Sequence, residues 1–288
     1  PDIPIELRRI PIIVHPKDCV PKDDIVENIN VNLNLIDSWD SVQQYYPHSE
    51  AAIIVSGGSS IDFDKLKELQ AETNGKIICV KHSYPKLLEA GIKPWGCVIL
   101  DPRPIEGEST HGIVRKSLFE TIDPSTKFFI ASMTEPSVTK YILERTSNVY
   151  GWHAYSEAIK NRVNNKEDYP EEEQIQISDD VTFVTGIFGF RNFHLFGFDC
   201  SVPEVSEEEQ KETLFDGKTK YMKVEINDKE FWTTGELLAM AQDCEQLFDA
   251  PQIDMGVEFY TKYDTLANQV YLTSRHGNKT YYDNTFNS

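Results

Sequence analysis

Five short apolar runs alternate with helical patterns through the first half of the chain, and this alternation restricts the fold more than any other feature. The runs are Ala51–Ser56, Lys76–Lys81, Gly96–Asp101, Lys127–Ser132 and Asn148–Gly151. Helical patterns lie between them at Asp62–Thr73, where Gly75 is a good C-cap, at Pro85–Ala90, closed by Gly91, and at Glu135–Arg145. Strands alternating with helices at this spacing predict an α/β fold: a mostly parallel sheet with helices on both faces. In such a sheet, ligands bind outside the carboxyl ends of the strands. Ahead of these runs, Ile10–Val14 reads as a short strand and Ser38–Tyr46 as a short helix. The last third predicts a hairpin over Tyr221–Glu225 and Glu230–Trp232 turning at Asn227-Asp228, a helix over Thr234–Phe248, and a strand at Ile253–Val257 returning to the sheet.

The first of the apolar runs ends in an unusual turn. Ala51-Ala52-Ile53-Ile54-Val55 is followed by Ser56-Gly57-Gly58-Ser59-Ser60 and then by the Asp62 helix. Small residues between a strand and a helix N-terminus leave backbone N–H groups and the positive dipole end for an anion such as phosphate. Gly57 and Gly58 can take positive φ and let a ligand approach the backbone. Ser59 and Ser60 add hydroxyl donors. The pattern is neither a GxxxxGK[ST] loop nor a GxGxxG fingerprint. An ordinary strand-to-helix turn holding no ligand is the competing reading.

Charge narrows the partners. A net charge of −19 argues against a general nucleic-acid binder and against docking on anionic membranes. It leaves room for a nucleotide, which needs only a local donor cluster. No apolar stretch is long enough to span a bilayer. Cys19, Cys79, Cys97, Cys200 and Cys244 are scattered and odd in number, which points to reduced thiols in a cytoplasmic protein.

Several residues at the ends of strand patterns could carry chemistry. Asp101 precedes Pro102 and Asp199 follows Phe196-Gly197-Phe198. A carboxylate at either place could hold Mg²⁺ against a polyphosphate, or simply cap the following turn. Thr185-Gly186 could form a second backbone anion cradle or be a plain turn. His153, among Tyr150, Trp152 and Tyr155, is the best placed histidine for acid–base work, although a histidine near aromatics is more often structural. Lys81 could pair with phosphate, with a solvent-facing role as the blander alternative. His82 follows it, and His194 lies inside an apolar strand as a core residue. Asn164–Asp180 is polar and acidic; it reads as a solvated connector, with a lid over the site as the second reading. Only Gly186–Asn192 separates the strand patterns Val181–Thr185 and Phe193–Phe198, which is too short for a parallel crossover of ~10 residues or more. Either those strands pair antiparallel or a connecting segment is missing from this sequence.

Three segments together carry a family resemblance. They are Ala52–Ser60; Leu87-Leu88-Glu89-Ala90-Gly91-Ile92-Lys93-Pro94 with Val98-Ile99-Leu100-Asp101-Pro102; and Thr185-Gly186 with Gly189-Phe190-Arg191-Asn192-Phe193-His194-Leu195-Phe196-Gly197-Phe198-Asp199. Over residues 50–201 the chain resembles the archaeal 6-hydroxymethylpterin diphosphokinases, whose bacterial relatives include the motility accessory factors of flagellin glycosylation. The layout is also similar to bacterial sialyltransferases that use a CMP-sugar. The resemblance implies a Rossmann-like nucleotide fold. On that view residues 1–48 are an N-terminal extension, 49–201 the nucleotide-binding core and 202–288 a C-terminal α+β elaboration. It further implies a nucleotide-dependent transferase that moves diphosphate from ATP to a hydroxymethyl acceptor, with Mg²⁺ as the candidate cofactor. The alternatives are a glycosyltransferase using a CMP- or other nucleotide-sugar, and a nucleotide-binding module without turnover. Two departures stand out: Ser59 replaces the family's usual proline, and Ile187-Phe188 stand where the family has a helix.

Overall fold

The computed structural model describes residues 20–39, 48–109, 112–153, 189–214, 217–249 and 256–278. They divide into two compact units, one drawn from residues 18–57 and 63–191, the other from 58–62 and 192–288. The division falls between Gly57 and Gly58, inside the glycine turn.

In the first unit five strands run parallel in the order β5-β4-β3-β2-β1. These are β1 (Ala51–Val55), β2 (Lys76–Val80), β3 (Gly96–Ile99), β4 (Lys127–Ala131) and β5 (Val149–Trp152). Register is regular, with Ile53 beside Ile77, Cys79 beside Cys97 and Phe129 beside Tyr150. All five residues of β1 and all four of β3 are buried, as expected of strands covered on both faces. Helices α2 (Phe63–Thr73), α3 (Tyr84–Glu89) and α4 (Pro136–Leu143) fall where the periodicity predicts them. Their ends follow the expected chemistry, with one shift. Gly91 takes φ +73 after α3, and the Glu135 carboxylate accepts the Ser137 N–H at the start of α4. After α2, however, the left-handed position is Asn74 (φ +51) and not Gly75.

Helix α1 (Lys22–Leu35) is the element of this unit that the sequence pattern does not announce. Its inward face is Ile25, Asn28, Ile29 and Asn32, and half of that face is polar. Ser38-Trp39 is not the start of a helix as expected. Trp39 bridges in parallel to Gly151, and the Gly151 N–H donates to Ser38 O at 2.7 Å. The indole occupies the space that a Cβ on Gly151 would need.

The second unit holds β6 (Asn192–Phe196) and β9 (Gly256–Tyr260), paired in parallel. It also holds the antiparallel hairpin β7 (Met222–Ile226) and β8 (Lys229–Thr233). The hairpin turns on Asn227 (φ +53) and Asp228 (φ +58), the left-handed pair that a two-residue turn requires. Helices α5 (Gly235–Asp249) and α6 (Leu266–Leu272) pack together. Of the strand expected at Ile253–Val257, the last two residues open β9, which runs on to Tyr260, and residues 253–255 lie outside the described residues. Among the described residues no helix is long and apolar enough to cross a membrane. Cys79, Cys97, Cys200 and Cys244 are buried and not joined in disulfides. Expectations for residues 10–14, 164–180 and 181–185, and for most of the 38–46 helix, lie outside the described residues.

Candidate functional site

Because β1 to β5 are parallel, the residue after each strand sits at one edge of the sheet. Ser56-Gly57 follow β1, Lys81-His82-Ser83 follow β2, Asp101 comes two residues after β3, Ser132 follows β4 and His153 follows β5. This is the edge where α/β sheets bind ligands. Ser83 ties two of these ends together, its hydroxyl donating to Val55 O at 2.7 Å. Gly57 is not in the left-handed region, contrary to the expectation for this turn. A Cβ there would approach His82 Cβ to 3.3 Å.

Asp101 is the centre of the edge and is 2% exposed. Arg103 grips it as a fork, Nε to Oδ1 at 2.8 Å and Nη2 to Oδ2 at 2.7 Å, and the Arg103 backbone N–H donates to Oδ1 at 3.1 Å. Lys81 Nζ lies 2.6 Å from Oδ2. Burial by itself would raise the carboxyl pKa. The Arg103 hydrogen bonds and the Lys81 charge outweigh it and hold Asp101 below the usual carboxylate value. Lys86 joins the cluster, donating from Nζ to Gly57 O at 3.1 Å. His82 is surrounded by these groups. Desolvation of its ring and the Lys81 charge lower its pKa, Asp101 opposes them, and Arg103 and Lys86 add to the lowering.

At the β5 end, the His153 ring stacks on Trp39 with centroids 4.9 Å apart and planes 15° apart. Its Nδ1 is 3.0 Å from Ser132 Oγ. Burial lowers its pKa to about 4, so the ring is neutral at pH 7. A neutral imidazole of this kind is a poor proton acceptor at that pH.

Two residues that the sequence did not single out brace this edge. Asn28 Nδ2 donates to Pro102 O at 3.4 Å and to Met133 O at 3.2 Å. Asn32, one turn later on α1, donates to Ser132 O at 2.9 Å and to Thr134 O. Loop carbonyls after β3 and β4 are thereby tied to one helix. Asparagines at i, i+4 spacing with hydrophobic neighbours would have been the only sequence signal, and such a pair looks like an ordinary polar helix face.

Asp199 belongs to the other unit and has a different environment. It is 5% exposed. Its Oδ2 accepts the Ser59 N–H at 2.8 Å and the Ser60 N–H at 3.1 Å, and its Oδ1 accepts the Ser60 hydroxyl. The Ser59 hydroxyl and Tyr263 OH are hydrogen-bonded to each other beside it. The anion seated on the Ser59-Ser60 amides is therefore a side chain of the protein. Gly58 is not in the left-handed region either. Its N–H donates to Gly197 O at 2.9 Å, and a Cβ on it would overlap the Asp199 carboxyl and that carbonyl. Gly58 is small for packing against Asp199, where the sequence suggested room for a ligand.

Of the residues expected at a site, Ser56, Gly57, Asp101 and His153 thus share the carboxyl edge of the first unit. Gly58, Ser59, Ser60 and Asp199 form one cluster in the second unit. Thr185 and Gly186 lie outside the described residues. Among the described residues, no group of three or more His, Cys, Asp or Glu side chains could hold a metal ion. In this arrangement the Asp101 carboxylate is engaged by two cations and the Asp199 carboxylate by serine donors.

Comparison with known proteins follows the same lines. A search of curated proteins finds no match. The fold is similar to the solved structure of a MAf glycosyltransferase from Magnetospirillum magneticum AMB-1, with a TM-score of 0.54 and 14% identity. That likeness covers 91% of this chain and 44% of the other, so this chain spans less than half of that protein's length. It supports the α/β fold. The model of the family 6-hydroxymethylpterin diphosphokinase MptE-like matches residues 23–205, well over half of the chain. The chain therefore belongs to the 6-hydroxymethylpterin diphosphokinase MptE-like family.

Proposed function

We propose that this protein transfers diphosphate from ATP to the hydroxymethyl group of a pterin-like acceptor. One observation carries the reading beyond family membership. In a chain of net charge −19, the carboxyl edge of the parallel strands sets Lys81 and Arg103 on one buried carboxylate and Lys86 on the Gly57 carbonyl after β1. Local positive charge at that edge suits a polyphosphate, and phosphoryl chemistry depends chiefly on positioning and charge neutralisation.

In the proposed reaction the acceptor hydroxyl oxygen attacks the β-phosphorus of ATP. The bond from that phosphorus to the oxygen bridging the α- and β-phosphates breaks. The products are the diphosphate ester and AMP, and the hydroxyl proton leaves to solvent. Lys81, Arg103 and Lys86 offset charge on the phosphates. Ser56 and Gly57 line the end of β1 beside them. His153, neutral and held by Ser132 and Trp39, would orient a substrate group and not take its proton.

Asp101 and Asp199 do not fit a protein-held Mg²⁺ while their oxygens are engaged as described. Mg²⁺ enters this proposal only as a counter-ion carried on the nucleotide, held by phosphate oxygens and water. No step of the reaction is assigned to it.

A panel of nucleotides tests the reading. ATP should raise the melting temperature, and AMP should appear when a hydroxymethylpterin is added. Stabilisation by CMP or a CMP-sugar with none by ATP would overturn diphosphate transfer in favour of glycosyl transfer. Stabilisation by ATP without AMP release over a range of hydroxymethyl acceptors would leave a binding module in its place.

A further inference from the structure

We propose that Asn28 and Asn32 of α1 are positioning residues, which hold the loop bearing Asp101 and Arg103 and the loop bearing Ser132 at fixed places beside one another. The inference deepens the transferase reading and rests on it for the reaction that the positioning serves.

The destination of the hydrogen bonds is the first reason. Both asparagines are buried. Asn28 Nδ2 donates to Pro102 O at 3.4 Å and to Met133 O at 3.2 Å. Asn32 Nδ2 donates to Ser132 O at 2.9 Å and to Thr134 O. Every one of these acceptors is a backbone carbonyl beyond the carboxyl end of β3 or β4. Pro102 stands between Asp101 and Arg103, which form the forked ion pair of the edge. Ser132 carries the hydroxyl that meets His153 Nδ1 at 3.0 Å. One turn of one helix therefore sets an ion pair and an imidazole that come from different strands. Trp39, which follows the same helix, stacks on that imidazole. Helix α1 also packs against α4, and donors on a packed helix are held more precisely than donors on a loop.

The cost of the amides is the second reason. Ile25 and Ile29 share the inward face of α1 and already give it an apolar contact. A helix held by packing alone needs no amide there, because a buried polar group costs free energy unless its hydrogen bonds are made. Asn32 makes only part of its set. Its Oδ1 is buried and has no hydrogen-bond partner among the described residues. Only the donor side of that amide is used, and it is used on the loop after β4.

Two readings in the full chain test the role without turnover: proton NMR titration of the His153 ring and amide hydrogen exchange of Arg103 and Ile105. Asn32→Leu removes the donor and keeps the size. It should raise the proton affinity of the ring at least tenfold, because a loosened loop lets water reach a histidine whose pKa burial holds at about 4. Asn28→Leu should speed exchange at Arg103 and Ile105 at least tenfold. Ile29→Ala is the control. It lies on the same buried face and weakens α1 packing without touching any of the four bonds. At an equal drop in melting temperature it should alter neither reading more than twofold. With ATP and a hydroxymethylpterin, each leucine variant should lose at least tenfold in kcat with KM for ATP within threefold. Ile29→Ala should keep kcat within threefold. If a leucine variant does not fold, Asn28→Ser and Asn32→Ser, whose hydroxyl stops one bond short of Nδ2, should show the same changes.

Equal changes in Ile29→Ala and the leucine variants would overturn the positioning role and leave the asparagines as structural. Changes below twofold in both leucine variants would overturn it as well. The expected His153 and Arg103 changes, with no AMP formed by wild type, would refute the transferase reading and leave the positioning standing. AMP release that is indifferent to both asparagines would do the reverse.

Discussion

Asp101 and Asp199 stand in nearly the same sequence context, each just past an apolar strand, yet the regions around them use the carboxylate differently. Around Asp199 the partners are neutral donors: the Ser59 and Ser60 amides and the Ser60 hydroxyl. Those donors are satisfied from within, so the turn is closed on itself. Around Asp101 the partners are Lys81 and Arg103, which outnumber the carboxylate and reach solvent. An aspartate that satisfies neutral amides completes a structure. An aspartate clamped by two cations fixes where charged groups stand at the strand ends.

The two glycines of the turn offer the sharpest break in this comparison. Gly58→Val would force a branched side chain into the Asp199 carboxyl and the Gly197 carbonyl, both parts of the packed structure. We expect destabilisation of about 3 kcal/mol or more, read by chemical denaturation. A variant as stable as wild type would show that the turn has room for a ligand after all.

Asp199→Ala comes next. It leaves the Ser59 and Ser60 amides without their acceptor, for an expected loss of roughly 2–3 kcal/mol. ATP affinity should stay within threefold of wild type in whatever fraction is folded. A selective loss of ATP binding with unchanged stability would transfer the phosphate site to Asp199.

His153 gives an effect that is absent near neutral pH and grows only as pH falls. Its pKa is lowered by burial from 6.5 to about 4 in the folded chain. Between those values the unfolded chain takes up a proton that the folded chain does not. The contribution is therefore fully present above pH 6.5 and is lost as pH falls from 6.5 towards 4. The loss should reach about 3 kcal/mol by pH 4. His153→Asn should flatten that part of the stability profile; an unaltered slope would place the titration elsewhere.

Gly57→Ala should do least. Its Cβ would meet His82 Cβ at 3.3 Å, a tight contact with a side chain that can shift. The expected change is within about 1 kcal/mol. A cost as large as that of Gly58→Val would mean that the whole turn is locked, and the contrast between the two halves would fail.

The sequence made the strands easy to read because those of the first unit are buried on both faces, so Ile53, Ile54, Ile77 and Ile78 form unbroken apolar runs. The hairpin was legible for a local reason as well, since Asn227-Asp228 suits left-handed backbone. Helix α1 was hidden because its inward face carries Asn28 and Asn32, whose partners are loop carbonyls about a hundred residues away. The site was half legible. Ser56-Gly57 and Asp101 mark a carboxyl edge, and Lys81 stands there as one of two readings, but Arg103 looks like a solvated side chain until the fold gives it a partner shared with Lys81. The anion cradle was recognised as a type of structure. Its occupant was not, because Asp199 lies 139 residues from Ser60.

The account's central claim is that the polyphosphate binds in the cation cluster and leaves the serine turn undisturbed. Amide hydrogen exchange of the full chain, with and without saturating ATP, measures both regions in one experiment. The account predicts slowed exchange over residues 81–86 and 101–105 with residues 58–62 unchanged. Slowing confined to residues 58–62, with the two cationic segments unchanged, would contradict it.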